Sequence, residues 1–264
     1  MRRSRLVAAL AGLLSAAGAT LAFAAPAQAA AVNYVALGDS YSSGVGAGSY
    51  IDSSGSCDRS TKAYSALWAA AHSPSSYSSV ACSGATTSDV NSSQLSALNS
   101  STSLVSLTIG GNDIGFSNIM TTCALQGTDA CVAAVQSAED AVQSTLPGKL
   151  DTTYNGIHQH APNARVVVLS YPVFYQLGTF CVGLSAKSHA KIDEGINLLD
   201  ATIQAAAQRH GFVFADVRDI FVGHQLCSGD KWLHALNFSD ITESYHPTAT
   251  GQSSGYLPAF TSNA

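Results

Sequence analysis

Positive charge is scarce. Twelve lysines and arginines stand against 17 acidic residues in 264 positions, and three of the twelve are Arg2, Arg3 and Arg5. Binding of phosphate backbones needs a basic face, so nucleic acid is excluded as a partner. An anionic bilayer would likewise give the chain no electrostatic help. No C-x-x-C pair occurs among the six cysteines, which removes the usual spacing of zinc and thioredoxin-like redox sites. Internal repeats are absent, as are linkers long enough to mark a domain boundary and long amphipathic insertions that would make a lid. Strong hydrophobes are missing from the centre of the one long apolar run, residues 6–25, which is mostly alanine. A membrane anchor is therefore the weaker reading of that run.

What stands there instead is a basic start, the apolar run and then Ala27-Gln28-Ala29, a small-x-small pattern. These features predict a secretory signal peptide over residues 1–29, cleaved after Ala29, and an extracellular protein. The remaining residues, 30–264, suit one α/β domain. With nine basic residues left against 17 acidic, its formal charge is about −8. Cysteines in a secreted chain point to disulfides rather than metal. Six thiols allow 15 connectivities, of which sequential pairing is the simplest: Cys57 with Cys82, Cys123 with Cys131, Cys181 with Cys227.

Strand-like apolar runs alternate with helical patterns. Strands are predicted at 32–37, 77–81, 104–109, Arg165–Leu169 and 212–217, the fourth being an unbroken β-branched run. Helical spacing covers 62–72, 129–160 with a break at Pro147-Gly148, 185–210 closed by Gly211, and 248–260. The serine-rich tracts at 73–83 and 88–103 read as surface loops. Such alternation predicts a three-layer α/β/α sandwich around about five parallel strands.

The first strand stops at Gly38 and is followed by Asp39-Ser40-Tyr41-Ser42-Ser43-Gly44. Strand-then-small-residues delivers a side chain to the carboxyl edge of the sheet, where α/β folds place their ligands. Ser40 is the candidate nucleophile. A serine hydroxyl needs a base, and of the eight histidines, His224, His234 and His246 follow the last strand. His246 stands in Glu243-Ser244-Tyr245-His246-Pro247, with an acid three residues away to hold its other nitrogen; a partly buried structural histidine is the plainer reading. Gly110-Gly111-Asn112-Asp113 ends a strand and would bring the Asn112 amide to the same edge as an oxyanion donor, or simply make a turn. Gly84 likewise offers a bare N–H or a turn. Gly251-Gln252-Ser253-Ser254-Gly255 matches a G-x-S-x-G elbow but lacks a preceding strand and any later acid or histidine, so it reads as chance. Asp39 reads as a loop residue that shapes the turn.

Taken in order, Gly38-Asp39-Ser40-Tyr41-Ser42, Gly84, Gly110-Gly111-Asn112-Asp113 and Tyr245-His246-Pro247 resemble the four blocks of the SGNH hydrolases, the GDSL esterases and lipases. The secreted form, the six cysteines and the short length are similar to the extracellular lipases and phospholipases A1 of actinobacteria. This resemblance implies a flavodoxin-like fold, Ser40 as nucleophile and His246 as base. It also implies an oxyanion hole from the Ser40 N–H, the Gly84 N–H and the Asn112 amide, three disulfides, no metal and no cofactor. Two positions depart from the pattern: Tyr41 replaces leucine, and the D-x-x-H block reads Glu243-Ser244-Tyr245-His246. Either the Glu243 carboxylate or the main-chain carbonyl of Ser244 then orients His246, with the carbonyl favoured.

The expected protein is a secreted serine esterase, acting as a monomer on acyl esters of lipids with at most transient contact with a membrane surface. Tyr171, Val173, Phe174, Tyr175 and Phe180, after the fourth strand, are candidates for the acyl-binding wall or for mere cover of the sheet. Removal of acetyl groups from polysaccharides is the rival activity, and a non-catalytic binding domain the rival from another class.

Overall fold

The computed structural model describes residues 31–237 and 239–264; the expected signal peptide lies outside them. Five parallel strands form one sheet in the order β2-β1-β3-β4-β5: β1 (Asn33–Ala36), β2 (Ser76–Ser79), β3 (Leu104–Leu107), β4 (Arg165–Leu169) and β5 (Val213–Ala215). The apolar runs of β3 and β4 are buried on both faces, as parallel strands beneath helices must be. At the edge, β2 alternates exposed serines with half-buried residues and starts one position before the expected 77–81.

Helix α1 (Ser40–Ser43) follows β1 directly, and α2 (Tyr64–His72) leads to β2. Then come α3 (Thr87–Asp89), α4 (Phe116–Ser144), α5 (Leu146–His160), α6 (Ala186–Arg209) and α7 (Leu257–Thr261). Helices α2 and α7 pack together over one face, while α4, α5 and α6 pack together over the other. The three-layer sandwich is thus present. Its chain winds outward from β1 to β2, then reverses to β3, and the reversal leaves a crevice at the carboxyl ends of β1 and β3, where such sheets bind ligands.

Three expectations about elements need correction. The helix expected from residue 129 begins at Phe116; it is interrupted at Gly127, whose backbone is non-helical, and the Cys123–Cys131 disulfide spans that break. The second break falls at Thr145, so that Pro147 sits in the first turn of α5, where a missing N–H costs nothing. Within the serine-rich tract at 88–103 the chain is helical as far as Ala97 and looped only beyond it. Thr86 and Asp89 form a capping box, and turns continue through Val90–Gln94 and Leu95–Ala97. All three disulfides join successive cysteines: Cys57–Cys82, Cys123–Cys131 and Cys181–Cys227.

Candidate active site

The end of β1 is held from several sides. Gly38 has φ +117°, and a Cβ there would run into the Thr108 carbonyl, so only glycine lets the two strands approach. Its peptide is clamped by the buried Gln94 side chain: the Gly38 N–H donates to Oε1 at 2.7 Å, and Nε2 donates to the Gly38 carbonyl at 2.9 Å. Asp39 then caps α1 by accepting the Tyr41 N–H. Its carboxylate also accepts the hydroxyls of Thr108 and Tyr171. Burial raises Asp39 to about 6 despite these donors, and its role is to fix the turn. Ser42 completes the anchorage: its hydroxyl accepts the Thr108 N–H at 2.9 Å.

Ser40 opens α1, so its own N–H has no intrahelical acceptor. Its Oγ lies 2.7 Å from Nε2 of His246, 206 positions later in the chain. Several contacts hold the histidine loop in place. The His234 N–H donates to the His246 carbonyl at 2.9 Å and the Tyr245 N–H to the His234 carbonyl at 2.8 Å. Between them, Tyr245 adopts φ +67°, a left-handed conformation unfavourable for a residue with a Cβ. The Tyr41 hydroxyl donates to the Tyr245 carbonyl at 2.7 Å, and the Tyr41 ring lies 5.1 Å from the His246 imidazole. Gly46 lies beneath, where a Cβ would press on the Pro247 carbonyl and His246.

The other imidazole nitrogen, Nδ1, is enclosed. Among the described residues no carboxylate reaches it: of the two expected orienting groups, the less favoured one, the Glu243 carboxylate, instead accepts the Tyr50 hydroxyl at 3.0 Å. Main-chain carbonyls of Ser244, Thr242 and Glu243 face the ring, Ser244 having the largest influence, but none forms a hydrogen bond of full geometry with Nδ1. Burial outweighs their support and lowers His246 to about 4. The imidazole is therefore neutral at physiological pH, as a general base must be.

Gly84 and Asn112 arrive from the loops after β2 and β3. One N–H of the Asn112 amide donates to the Ala85 carbonyl at 3.0 Å, and Asp113 accepts both the N–H and the hydroxyl of Thr87, so the two loops are tied together. An amide carries two N–H bonds, which leaves the second free. Gly84 has φ +77° and open space where a Cβ would stand. Ser40, Gly84, Asn112 and His246 line one groove of about 550 Å³.

The groove wall differs from the expected one. Tyr171 and Phe174 do line a narrow apolar slot beside Ser40, together with Phe116, Ile196 and Leu199. Val173, Tyr175 and Phe180 do not line the groove. Val173 faces a separate cavity, Tyr175 stacks on His189 at 3.9 Å, and Phe180 is 91% exposed. For Val173 and Tyr175 the cause lies in α6, where the Asp200 carboxylate accepts the Tyr171 N–H and Asp193 accepts those of Phe174 and Tyr175, which fixes which side chains of that stretch turn inward. The missed wall comes from the start of α4 (Phe116, Met120, Ala124, Leu125) and from Leu236, Ile241 and Tyr245. Its signal was helical spacing immediately after the Asn112 block. Among the described residues, Cys181, Cys227 and His189 cluster closely enough to suggest metal ligands, but both sulfurs are spent in a disulfide.

Residues 36–253 match the model of the GDSL-like lipase/acylhydrolase family. The chain is 59% identical over 262 residues to Lipase 1 of Streptomyces coelicolor, covering 98% of each. Among solved structures it is similar to an extracellular lipase from Streptomyces rimosus (TM-score 0.87, 56% identity, 89% of this chain and 100% of that one). The phospholipase A1 from Streptomyces albidoflavus gives a TM-score of 0.88 at the same identity and coverage.

Proposed function

Because the chain belongs to the GDSL-like lipase/acylhydrolase family and is a carboxylic ester hydrolase, we propose that it is exported by way of the leader at residues 1–29 and works as a monomeric serine lipase on acyl esters of lipids, phospholipids included. Relatives described as an extracellular lipase and a phospholipase A1 support the location and the substrate class. The observation that carries the mechanism is the 2.7 Å contact between Ser40 Oγ and His246 Nε2 at the wall of a groove lined by apolar side chains.

In this reading the neutral His246 takes the Ser40 proton as Oγ attacks the ester carbonyl. Negative charge moves to the carbonyl oxygen, which meets the Ser40 N–H, the Gly84 N–H and the free N–H of Asn112. The tetrahedral adduct collapses, His246 gives its proton to the departing alcohol, and an acyl-Ser40 ester remains. Water then repeats the sequence with His246 again as base, which releases the fatty acid and restores the hydroxyl. His246 becomes an imidazolium twice per turnover, and the carbonyl of Ser244, with those of Thr242 and Glu243, is the polar support for that charge. The apolar slot beside Ser40 and the α4 wall take the acyl chain.

Ser40→Ala tests the assignment directly. Turnover of phospholipid and triacylglycerol should fall by about 10⁴-fold or more, and a fluorophosphonate should label the unsubstituted protein at Ser40. Retained activity in Ser40→Ala would refute the mechanism.

A further inference from the structure

We propose that the rim of the groove and of the cavity adjoining it is a docking surface for uncharged lipid, formed by Leu125, Phe180, Val182 and Ile241. The inference rests on the lipid-esterase reading above and adds how the protein meets its substrate.

These four side chains are 68%, 91%, 86% and 59% exposed, and they gather at the groove, whereas the other exposed large apolar side chains, Tyr50, Ile51, Leu177 and Val222, do not line it or the cavity beside it. They are neighbours. Leu125 and Ile241 edge the groove that holds Ser40 and His246, while Phe180 and Val182 edge an adjoining cavity of about 600 Å³ that shares Ala124, Leu236 and Tyr245 with it. Contiguous exposed apolar surface on a soluble protein marks a place where something binds. Here it surrounds the entrance through which an acyl chain must pass.

The covalent framework supports the same function. Leu125 projects from the nine-residue stretch 123–131 closed by Cys123–Cys131, and Phe180 and Val182 flank Cys181, which is bonded to Cys227. Disulfides hold these tips before any contact is made, so docking orders little that was free. Charge selects the partner: nine basic against 17 acidic residues in 31–264 give no attraction to an anionic surface. Among the described residues lining the two cavities, Lys231 is the one lysine or arginine, and it lies in the adjoining cavity rather than in the groove. A neutral lipid surface, entered by apolar side chains, is the occupant this composition fits.

The test uses the full protein. With Ser40→Ala to prevent hydrolysis, partition onto phosphatidylcholine vesicles is measured by flotation, and Phe180→Ser/Val182→Ser should lower it about 100-fold, roughly tenfold per side chain. In the background that keeps Ser40, the same double variant should hydrolyse dissolved p-nitrophenyl acetate within about twofold of the parent. Phe180→Trp should retain binding and its emission should shift to the blue with vesicles. Unchanged partition in the double variant, or an unshifted Phe180→Trp spectrum, overturns the proposal. So does binding that rises with anionic lipid and falls with salt. A dimer that the double variant dissociates would assign the patch to a second copy of the chain and equally overturn it. If the unsubstituted protein binds vesicles but hydrolyses no ester, the esterase reading has failed and the docking surface has not.

Discussion

Removing one hydroxyl, by Tyr41→Phe, isolates the device that aims His246. The phenol donates to the Tyr245 carbonyl at 2.7 Å, and no second donor reaches that oxygen among the described residues. Burial, with Asp39 nearby, holds the Tyr41 phenol well above its ordinary value of 10, so it remains a donor throughout the working range. Phenylalanine preserves the ring packing, 5.0 Å from Tyr171 and 5.1 Å from His246, and leaves a buried carbonyl unsatisfied. That carbonyl costs about 1–3 kcal/mol, read as a lower midpoint in urea with the slope unchanged. Activity should suffer further, because Tyr245 holds an unfavourable φ of +67° and relaxes once its carbonyl is free. A displacement of about 1 Å at a catalytic group costs on the order of 10²-fold, so kcat on a p-nitrophenyl ester should fall about 10- to 100-fold. The α4 wall, Phe116, Met120, Ala124 and Leu125, is untouched, and KM should stay within about threefold. A variant that loses stability as expected but keeps kcat would show that the hydroxyl only braces the fold and would refute its positioning role. A change confined to KM would refute it too.

Other outcomes follow from the same geometry. Glu243→Ala should keep turnover within about tenfold, since its carboxylate meets Tyr50 and not the imidazole; a loss of 10³ or more would restore it as the orienting acid. The acid limb of kcat/KM on a soluble ester should fall near pH 4: His246 acts as a base only when neutral, and burial lowers it to about 4. A limb at 6.5 or above would contradict this.

Local chemistry was readable in the sequence wherever one strong preference acted alone. The β-branched run of β4 and the helix of α6, with Ser185 at its start and Gly211 after its end, fall where periodicity and capping place them. Ser40, Asn112 and His246 were legible because each follows a strand end or stands in a short block with few other uses. The start of α4 was not, because Gly115 and Gly127 look like breakers, whereas one precedes the helix with φ +78° and the other is a break that a disulfide spans. The serine-rich tract misled through composition: serine favours loops on average, yet the Thr86–Asp89 box starts a helix there. Val173 and Tyr175 turn away from the groove because Asp200 and Asp193 accept the N–H groups of Tyr171, Phe174 and Tyr175, and no local pattern encodes contacts with a later helix.

The disulfide connectivity bears on how the protein is made. No bridge encloses or crosses another, since 57–82, 123–131 and 181–227 occupy separate stretches of chain. A chain that emerges from a narrow exit in order, from one end to the other, can close each pair before the next cysteines appear. The wrong pairings then never compete for a partner. Such a connectivity calls for an oxidant and for little isomerase activity to undo mistakes.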